Sequence, residues 1–331
     1  EMKKNNIDDD FNLDDEIENE IENTYNADSI KGLSERDKIR TKTPVYAGDT
    51  VETGFHVLLR EPVDNSIDEF NFLKDFNEKQ GKNTSFDTIK IFINSEKNIA
   101  SVRDYGRGIP YEKDKNGLST LEKTVSILHA GGKHENNSNH LLSQDLNSNK
   151  SNYQFSSGIN GIGITLTNYA SNFFTAVVYN EKKKEKAYIV YKNGYLDKET
   201  TIVDINTPLD FLTEEQNQDN RNGTLIIYEP SVKDDDFDDE NVFEAGTKFN
   251  KEMIFSQLKI LPYLNIGLRV ELNFDGEHIV FEKEEKFVDI LKKENKKIVS
   301  VKGEDGNYIK KEVDLKLIME ESPYFTEYMI L

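Results

Sequence analysis

The hydrophobic residues between positions 55 and 79 recur with the spacing of an α-helix. Four of them lie at i, i+4, i+8 and i+11 and form one apolar stripe: Leu59, Val63, Ile67 and Phe70. Glu61, Asn65 and Asp68 fall on the opposite face. The segment is therefore predicted to form a long amphipathic helix that carries a line of polar side chains.

Most of the remaining chain alternates between strand-like and helix-like patterns. Ile89, Ile91 and Ile93 alternate with other residues as in a half-buried strand, and a turn at 94–98 leads to a partner strand at 99–104. The other predicted strands are 173–179, 187–192, 200–205 and 224–228, the other predicted helices are 118–128, 162–170, 251–260 and 286–295, and a hairpin turns at 275–276. This order predicts an α+β chain built from helices and an antiparallel sheet.

Two segments lack any apolar period. Residues 1–24 hold ten acidic side chains and are predicted to be a disordered acidic arm. Residues 135–152 are mostly Asn, Ser, Leu and Gln, which predicts an inserted mobile loop. Neither segment is expected to contribute to a packed core.

Composition narrows the possible functions. The length of 331 residues favours a large domain plus a second piece. The 62 acidic and 42 basic residues give a net charge of −20, so this chain alone is not expected to bind DNA. The absence of Cys excludes disulfides and thiol catalysis, and the five His residues show no metal-ligand spacing. No run approaches the roughly 18 apolar residues of a membrane span, so no membrane association is expected.

Two polar residues of the first predicted helix, Glu61 and Asn65, are four positions apart. Side chains at i and i+4 are neighbours on a helix, so this pair could serve a water molecule and a Mg²⁺ ion together. A solvated helix face explains the same two residues and is the commoner outcome for such a pair alone.

Two glycine-containing segments suggest a nucleotide-binding site. Asp104 precedes a Gly-Arg-Gly run at 106–108, where the backbone can approach a flat ligand while the carboxylate accepts a hydrogen bond from an exocyclic amine. The same pattern also occurs where a chain simply leaves a β-hairpin, without any ligand. Glycines within 158–163 open a predicted helix, whose free N–H groups could bind phosphates. No βαβ strand precedes this run, which argues against a dinucleotide-binding fold.

Together with Asn222–Thr224, these segments resemble in order and spacing the motifs of the GHKL ATPases, the superfamily of gyrase, chaperone, histidine kinase and mismatch-repair ATP-binding domains. The runs Tyr-Ala-Gly-Asp-Thr at 46–50 and Leu-His-Ala-Gly-Gly-Lys at 128–133 resemble the bacterial-type gyrase B family of type IIA topoisomerases. The resemblance implies a Bergerat two-layer α/β sandwich with a mixed, largely antiparallel sheet at 25–282. It also implies the start of an S5-like transducer domain at 283–331.

The resemblance further implies a role for each matching residue. Glu61 is the general base that polarises the attacking water, Asn65 binds Mg²⁺, and Asp104 recognises adenine. Thr224 supports Asp104 through water. The implied reaction is in-line attack of water on the γ-phosphate of ATP, with Mg²⁺ stabilising the developing charge.

Other residues are expected to surround the nucleotide. Arg107 is expected to pair with Glu69 beside the base pocket. The remaining expected contacts line the base pocket, the lid and the phosphate-binding loop: Gly106, Arg107, Gly108, Ile109, Pro110, Lys133, Tyr153, Ile159, Asn160, Gly161, Ile162 and Gly163. The segment at 135–152 is interpreted as an insertion in the lid.

The resemblance also implies partners. They are a second copy, joined through the N-terminal arm when nucleotide binds, a gyrase A partner, and DNA in the full enzyme. The 34 Asn and 35 Lys against 8 Ala indicate an A/T-rich genome. That bias favours a plastid-type organelle, the apicoplast, of a protist, with the cytoplasm of a low-GC bacterium as the alternative.

One departure from the family pattern keeps other functions open. Pro62 follows the proposed base where an aliphatic residue is usual, and a proline removes one helical hydrogen bond, so a kink at Glu61 is expected. A non-catalytic nucleotide-binding scaffold therefore remains an alternative. A sensor-kinase-like GHKL domain and a topoisomerase IV-type decatenase component are the others.

Overall fold

A computed structural model of the chain describes residues 33–82, 86–128, 163–233 and 242–283, together with two strands at 297–302 and 308–313. The predicted acidic arm, the lid insertion and the predicted helix at 286–295 lie outside the described residues. So do the domain boundary expected near position 25 and most of the predicted transducer segment.

The described strands are β1 (Thr88–Asn94), β2 (Ile99–Arg103), β3 (Ser171–Asn180), β4 (Glu185–Lys192), β5 (Tyr195–Asp204), β6 (Gly223–Pro230), β7 (Arg269–Phe274), β8 (Glu277–Phe281), β9 (Lys297–Lys302) and β10 (Tyr308–Val313). The first eight form one sheet in the order β5-β4-β3-β6-β2-β1-β7-β8. Only β1 and β7 pair in parallel, with Ile91 opposite Leu272. All other neighbours in this sheet are antiparallel, so it is mixed and largely antiparallel, as expected. The strands β9 and β10 pair with each other in a separate antiparallel ladder.

The described helices are α1 (Glu35–Thr41), α2 (Thr43–Ala47), α3 (Glu52–Lys79), α4 (Thr120–Ser126), α5 (Gly163–Tyr169), α6 (Glu214–Gln218) and α7 (Lys251–Leu264). Helices α3, α5 and α7 pack on one face of the sheet, where the apolar side chains form the larger core. A smaller apolar cluster covers part of the other face and includes Leu209 and Leu212 from the connection between β5 and β6. The arrangement is an α+β sandwich of helices on a sheet.

The long helix α3 confirms the predicted apolar stripe. Leu59, Val63, Ile67 and Phe70 are all buried, because the stripe faces the sheet. The helix continues through Pro62 as one element from Glu52 to Lys79.

Asp49 anchors the beginning of α3. Its carboxylate accepts hydrogen bonds from the backbone N–H groups of Val51 and Gly54, at 2.9 and 3.0 Å, and from the hydroxyl of Thr53. Burial acts to raise the pKa of Asp49, but these bonds hold it below its usual value. The family-like run at 46–50 thus has a structural task, since its Asp49 accepts two backbone N–H groups at the start of this helix.

Several element boundaries differ from the sequence expectation. The helix predicted over 118–128 begins only at Thr120, because the Ser119 side chain accepts the N–H of Glu122 at 2.9 Å and caps it there. It ends at Ser126, since Ile127 has extended backbone angles. Strand β5 begins at Tyr195, five residues before the prediction, as part of a hairpin with β4.

Three short helices, α1, α2 and α6, had no matching sequence prediction. These helices are short, and Ile39 of α1 is the only large apolar side chain that they bury, so no apolar period marks them. Their stability comes from caps and contacts: Ser34 accepts the N–H of Asp37 at the start of α1, and Thr213 and Gln216 form a capping box at α6.

Candidate functional site

One face of α3 carries three polar side chains spaced by four residues, Glu61, Asn65 and Glu69. Such residues lie roughly above one another, about 6 Å apart along the axis, so Glu61 and Glu69 are separated by about 12 Å. The structure places a different group of partners at each end of this line.

At the first end, Glu61 is half-buried against the beginning of α5. Its carboxylate lies so close to Gly163 that a β-carbon at that position would overlap it. Burial, with a smaller contribution from the charge of Asp64, raises the pKa of Glu61 to about 7. A carboxylate with that pKa can exchange protons near neutral pH, as a general base requires.

Asn65 lies one turn further along α3 and is exposed. Its amide oxygen is a suitable ligand for Mg²⁺, which usually keeps several waters and binds substrate phosphates. The described residues contain no cluster of three or more His, Cys, Asp or Glu side chains that could hold a metal ion by themselves. Asn65 is therefore a side chain that would hold a Mg²⁺ ion only together with water and substrate phosphates.

At the other end of the line, Asp104 follows β2 and is only 8% exposed. Its Oδ1 accepts hydrogen bonds from the N–H groups of Gly106 at 2.8 Å and Thr224 at 3.4 Å. Burial raises the pKa of Asp104 to about 6, although the Gly106 bond and the charge of Arg103 act to lower it. The carboxylate is thus held in place by two backbone groups and is ionised at neutral pH.

Thr224 is positioned against Asp104 through the backbone. The carbonyl of Thr224 accepts the N–H of Asp104 at 3.0 Å, which joins the end of β2 to the start of β6. The preceding residue, Gly223, has a φ of +129° and lies against the Asp104 carbonyl, where a β-carbon would overlap it. The glycine in the Asn-Gly-Thr motif is therefore required by this close approach.

The predicted ion pair beside Asp104 is present. The guanidinium of Arg107 donates to both carboxylate oxygens of Glu69 at 2.8 Å, and its backbone N–H donates to the same group at 3.0 Å. Gly106 lies so close to Glu69 that a β-carbon would overlap that side chain. The guanidinium also lies 4.1 Å from the centre of the Phe72 ring.

The neighbouring residues 108–110 complete this loop. Gly108 has a φ of +80° and a β-carbon there would be 2.6 Å from Val178 Cγ1, so the position requires glycine. Ile109 packs against the larger core and Pro110 is exposed.

Arg103 has a role that no sequence pattern indicated. This buried guanidinium donates to the carbonyl oxygens of Asp104 at 2.7 Å and Arg221 at 2.5 Å. It lies 4.7 Å from the ring centre of Tyr105 and 4.3 Å from that of Tyr179. Because these partners come from three separate segments, a strand pattern alone could not identify Arg103 as a support for Asp104.

The structure thus places Glu61, Asn65 and Glu69 along α3. Gly163, at the start of α5, lies against Glu61 at one end of this line. Asp104, Gly106, Arg107 and Thr224 lie at the other end, beside Glu69. The predicted lid and phosphate-loop residues Lys133, Tyr153, Ile159, Asn160, Gly161 and Ile162 lie outside the described residues. Their proposed contacts with nucleotide remain predictions. No helix in the described part of the chain is long and apolar enough to cross a membrane.

Comparison with known proteins identifies relatives over most of the chain, although no protein-family model matches it. The chain is 33% identical over 250 residues to the DNA gyrase B protein of Spiroplasma citri and 29% identical over 311 residues to that of Mycoplasma genitalium. It is 30% identical over 271 residues to the DNA topoisomerase 4 B protein of Mycoplasma capricolum. These matches cover 75%, 88% and 81% of this chain, but only 31%, 40% and 34% of the respective relatives. The chain therefore spans well under half the length of these relatives.

The fold also has a solved counterpart. It is similar, with a TM-score of 0.53 and 18% sequence identity, to the crystal structure of the 43K ATPase domain of Thermus thermophilus gyrase B in complex with an aminocoumarin. The similarity covers 81% of this chain and 57% of that one. At this identity the likeness establishes the fold, and the relatives by sequence establish the family.

Proposed function

We propose that this chain, which belongs to the gyrase B family of GHKL ATPases, binds and hydrolyses ATP as the N-terminal part of a type IIA DNA topoisomerase. The observation that carries the proposal is the line of polar residues on α3. It has a half-buried carboxylate of raised pKa at one end and the buried, hydrogen-bonded Asp104 at the other.

The base of the nucleotide binds at Asp104. The ionised carboxylate accepts a hydrogen bond from the exocyclic amine of adenine, and guanine has no donor at the equivalent position of its ring. The two backbone hydrogen bonds to Oδ1 fix the orientation of the carboxylate before ATP arrives, so little ordering is needed on binding. The ion pair between Glu69 and Arg107 borders this end of the site.

The triphosphate extends along α3 toward Glu61. Asn65 is the side chain that would hold Mg²⁺, and the ion supplies charge neutralisation on the phosphate oxygens. Glu61 accepts a hydrogen bond from a water molecule and orients it toward the γ-phosphate, and it takes the proton as the water attacks. Its pKa of about 7 matches the pH at which such a base works best.

In the complete polypeptide, ATP binding would close a homodimer around a DNA segment, with a gyrase A-type protein and DNA as partners. The net charge of −20 supports a division of labour in which other parts of the enzyme contact DNA. The polar side chains of α3, Glu61, Asn65 and Glu69, would then be the part of the enzyme that responds to the bound nucleotide.

Binding is tested by calorimetry with Mg²⁺ and a non-hydrolysable ATP analogue at pH 7.5. Replacing Asp104 with Asn removes a buried charge from a hydrogen bond and should weaken affinity about tenfold or more, since such a bond is worth roughly 1.5–3 kcal/mol. Asp75→Asn, which changes an exposed carboxylate on α3, is the control and should bind normally. Equal affinity of both variants would remove Asp104 from the site.

Chemistry is tested separately, on the full-length polypeptide. Glu61→Gln should keep nucleotide affinity within about threefold while turnover falls by about 10²–10⁴-fold, the usual contribution of a general base. Turnover by Glu61→Gln close to that of the unmodified protein would show that Glu61 is not the base. Absence of turnover in the unmodified full-length protein would favour the non-catalytic scaffold.

A topoisomerase IV-type decatenase is a second candidate, because the DNA topoisomerase 4 B protein of Mycoplasma capricolum is 30% identical to the chain. Both candidates use the same ATP site. Reconstitution with the cognate partner protein separates them: a gyrase introduces negative supercoils into relaxed circular DNA, and a decatenase chiefly unlinks catenated circles.

A further inference from the structure

Pro62 leaves one backbone acceptor of α3 without its usual helical partner. In an α-helix the N–H of residue 62 would donate to the carbonyl of residue 58, and proline has no N–H. The carbonyl of Leu58 therefore needs another donor, because Leu58 lies fully buried under α5.

The hydroxyl of Thr167 supplies that donor. Thr167 lies on α5, is 0% exposed, and its Oγ1 donates to the Leu58 carbonyl oxygen at 3.1 Å. The same hydroxyl is 3.3 Å from the carbonyl oxygen of Gly163, the ordinary intrahelical acceptor for a threonine. The shorter contact crosses to α3, so the hydroxyl links the two helices.

This link lies beside the proposed catalytic base. Leu58 precedes Glu61 by three residues, so both lie on neighbouring parts of the same helix surface. Gly163 precedes Thr167 by four residues and contacts the Glu61 carboxylate. The helices α3 and α5 are therefore joined at two adjacent points: one is the contact of Glu61 with Gly163, and the other is the hydrogen bond from Thr167 to Leu58.

We propose that Thr167 is a positioning residue for Glu61, made necessary by Pro62, because its hydroxyl replaces the helical hydrogen bond that the proline removes. This inference rests on the proposed function of Glu61 as general base. Without the hydroxyl, the first half of α3 loses its tie to α5 at the turn that carries Glu61, and the carboxylate loses its fixed distance from the start of α5.

A double-mutant cycle tests the pairing. Thr167→Val removes the hydroxyl and keeps the shape of the side chain, and Pro62→Ala restores the helical N–H. In the background with Pro62, Thr167→Val should lower kcat about tenfold with KM changed less than about twofold, as expected for a displaced catalytic group. In the Pro62→Ala background the same change should alter kcat less than about twofold. Thr167→Ser, which keeps the hydroxyl, should retain most of the activity.

Thr175→Val is the matched control. Thr175 is also fully buried and donates its hydroxyl to a backbone carbonyl, that of Ile189 at 2.8 Å, but it lies on β3 away from α3. A general loss of stability from deleting a buried hydroxyl would affect this variant and Thr167→Val alike. Its effect should be the same with Pro62 or with alanine at that position.

Melting temperatures provide a readout that does not depend on turnover. They are measured for the unmodified protein, Thr167→Val, Pro62→Ala and the double variant. Thr167→Val should lower the melting temperature more with Pro62 present than with alanine. Equal losses in both backgrounds would overturn the pairing. If the coupling appears in melting temperature while neither Glu61→Gln nor Thr167→Val alters turnover, the hydrogen bond is real and the function proposed for Glu61 is wrong. Coupling in melting temperature with a loss of turnover only in Glu61→Gln would overturn the positioning role alone.

Discussion

Replacing Glu61 by glutamine should make the nucleotide-free protein about 3 kcal/mol more stable at pH 8 but less than about 1 kcal/mol more stable at pH 5. The side chains have nearly the same shape, so the packing against Gly163 is kept and only the negative charge is lost. The expected gain in the free energy of unfolding equals the destabilisation that the negative charge of Glu61 causes in the folded protein.

The magnitude follows from the pKa of Glu61, which burial raises from 4.5 to about 7. Because the folded-state value lies above the unfolded-state value, folding favours the protonated form. Protonation of Glu61 therefore stabilises the folded protein. This stabilisation is fully present below pH 4.5, declines as the pH rises, and is lost above about pH 7. At about 1.4 kcal/mol per pH unit, the charged carboxylate lowers the free energy of unfolding by about 3 kcal/mol at pH 8.

Urea or thermal unfolding of the two proteins at pH 5 and pH 8 measures this difference. For a domain of this size, about 3 kcal/mol corresponds to a rise in melting temperature of roughly 6–12 °C at pH 8. Glu78→Gln, an exposed carboxylate near the end of the same helix, is the control and should change stability by less than about 0.5 kcal/mol at either pH.

Equal stability of Glu61→Gln and the unmodified protein at pH 8 would refute the reasoning, because it would mean that the carboxylate is solvated in the folded state. A gain that is the same at pH 5 and pH 8 would also refute it, since a stability difference caused by charge must depend on pH. The titration of Asp104 is common to both proteins and cancels in the comparison.

Three other outcomes follow from the site. Gly163→Ala should reduce ATP turnover at least about 100-fold in the full-length polypeptide, because its β-carbon overlaps the Glu61 carboxylate; turnover assays that find normal activity would contradict the contact. Arg103→Met should destabilise the protein by about 2 kcal/mol or more and weaken nucleotide binding, since it leaves the carbonyls of Asp104 and Arg221 without their donor; unfolding and calorimetry together check this. Duplex DNA should not bind this chain at physiological salt in a gel-shift assay, and tight, salt-sensitive binding would contradict the argument from net charge.

Much of the fold could be predicted from local patterns. The apolar stripe of α3, the hairpin of β1 and β2, and most strands appear in the sequence because neighbouring residues along an element determine which face is buried. The short helices α1, α2 and α6 could not be predicted this way, since Ile39 is the only large apolar side chain that they bury.

The residues of the candidate site that belong to short sequence motifs could be predicted. Spacing and the resemblance to GHKL ATPases point to Glu61, Asn65 and Asp104, and the pairing of Arg107 with Glu69 is present as expected. The part of the lid that should close over the nucleotide, including Lys133 and Tyr153, remains a sequence prediction.

The sequence by itself determined the elements, their buried faces and the candidate chemical groups, because each depends on residues a few positions apart. Tertiary structure alone decided the parallel pairing of β1 with β7, the support of Asp104 by Arg103, and the hydrogen bond from Thr167 to Leu58. Leu58 and Thr167 are 109 positions apart, and Thr167 can replace the hydrogen bond missing at Pro62 only when α5 packs on α3. Burial of Glu61 has the same origin: the raised pKa comes from desolvation by packed neighbours, which no local pattern of residues specifies.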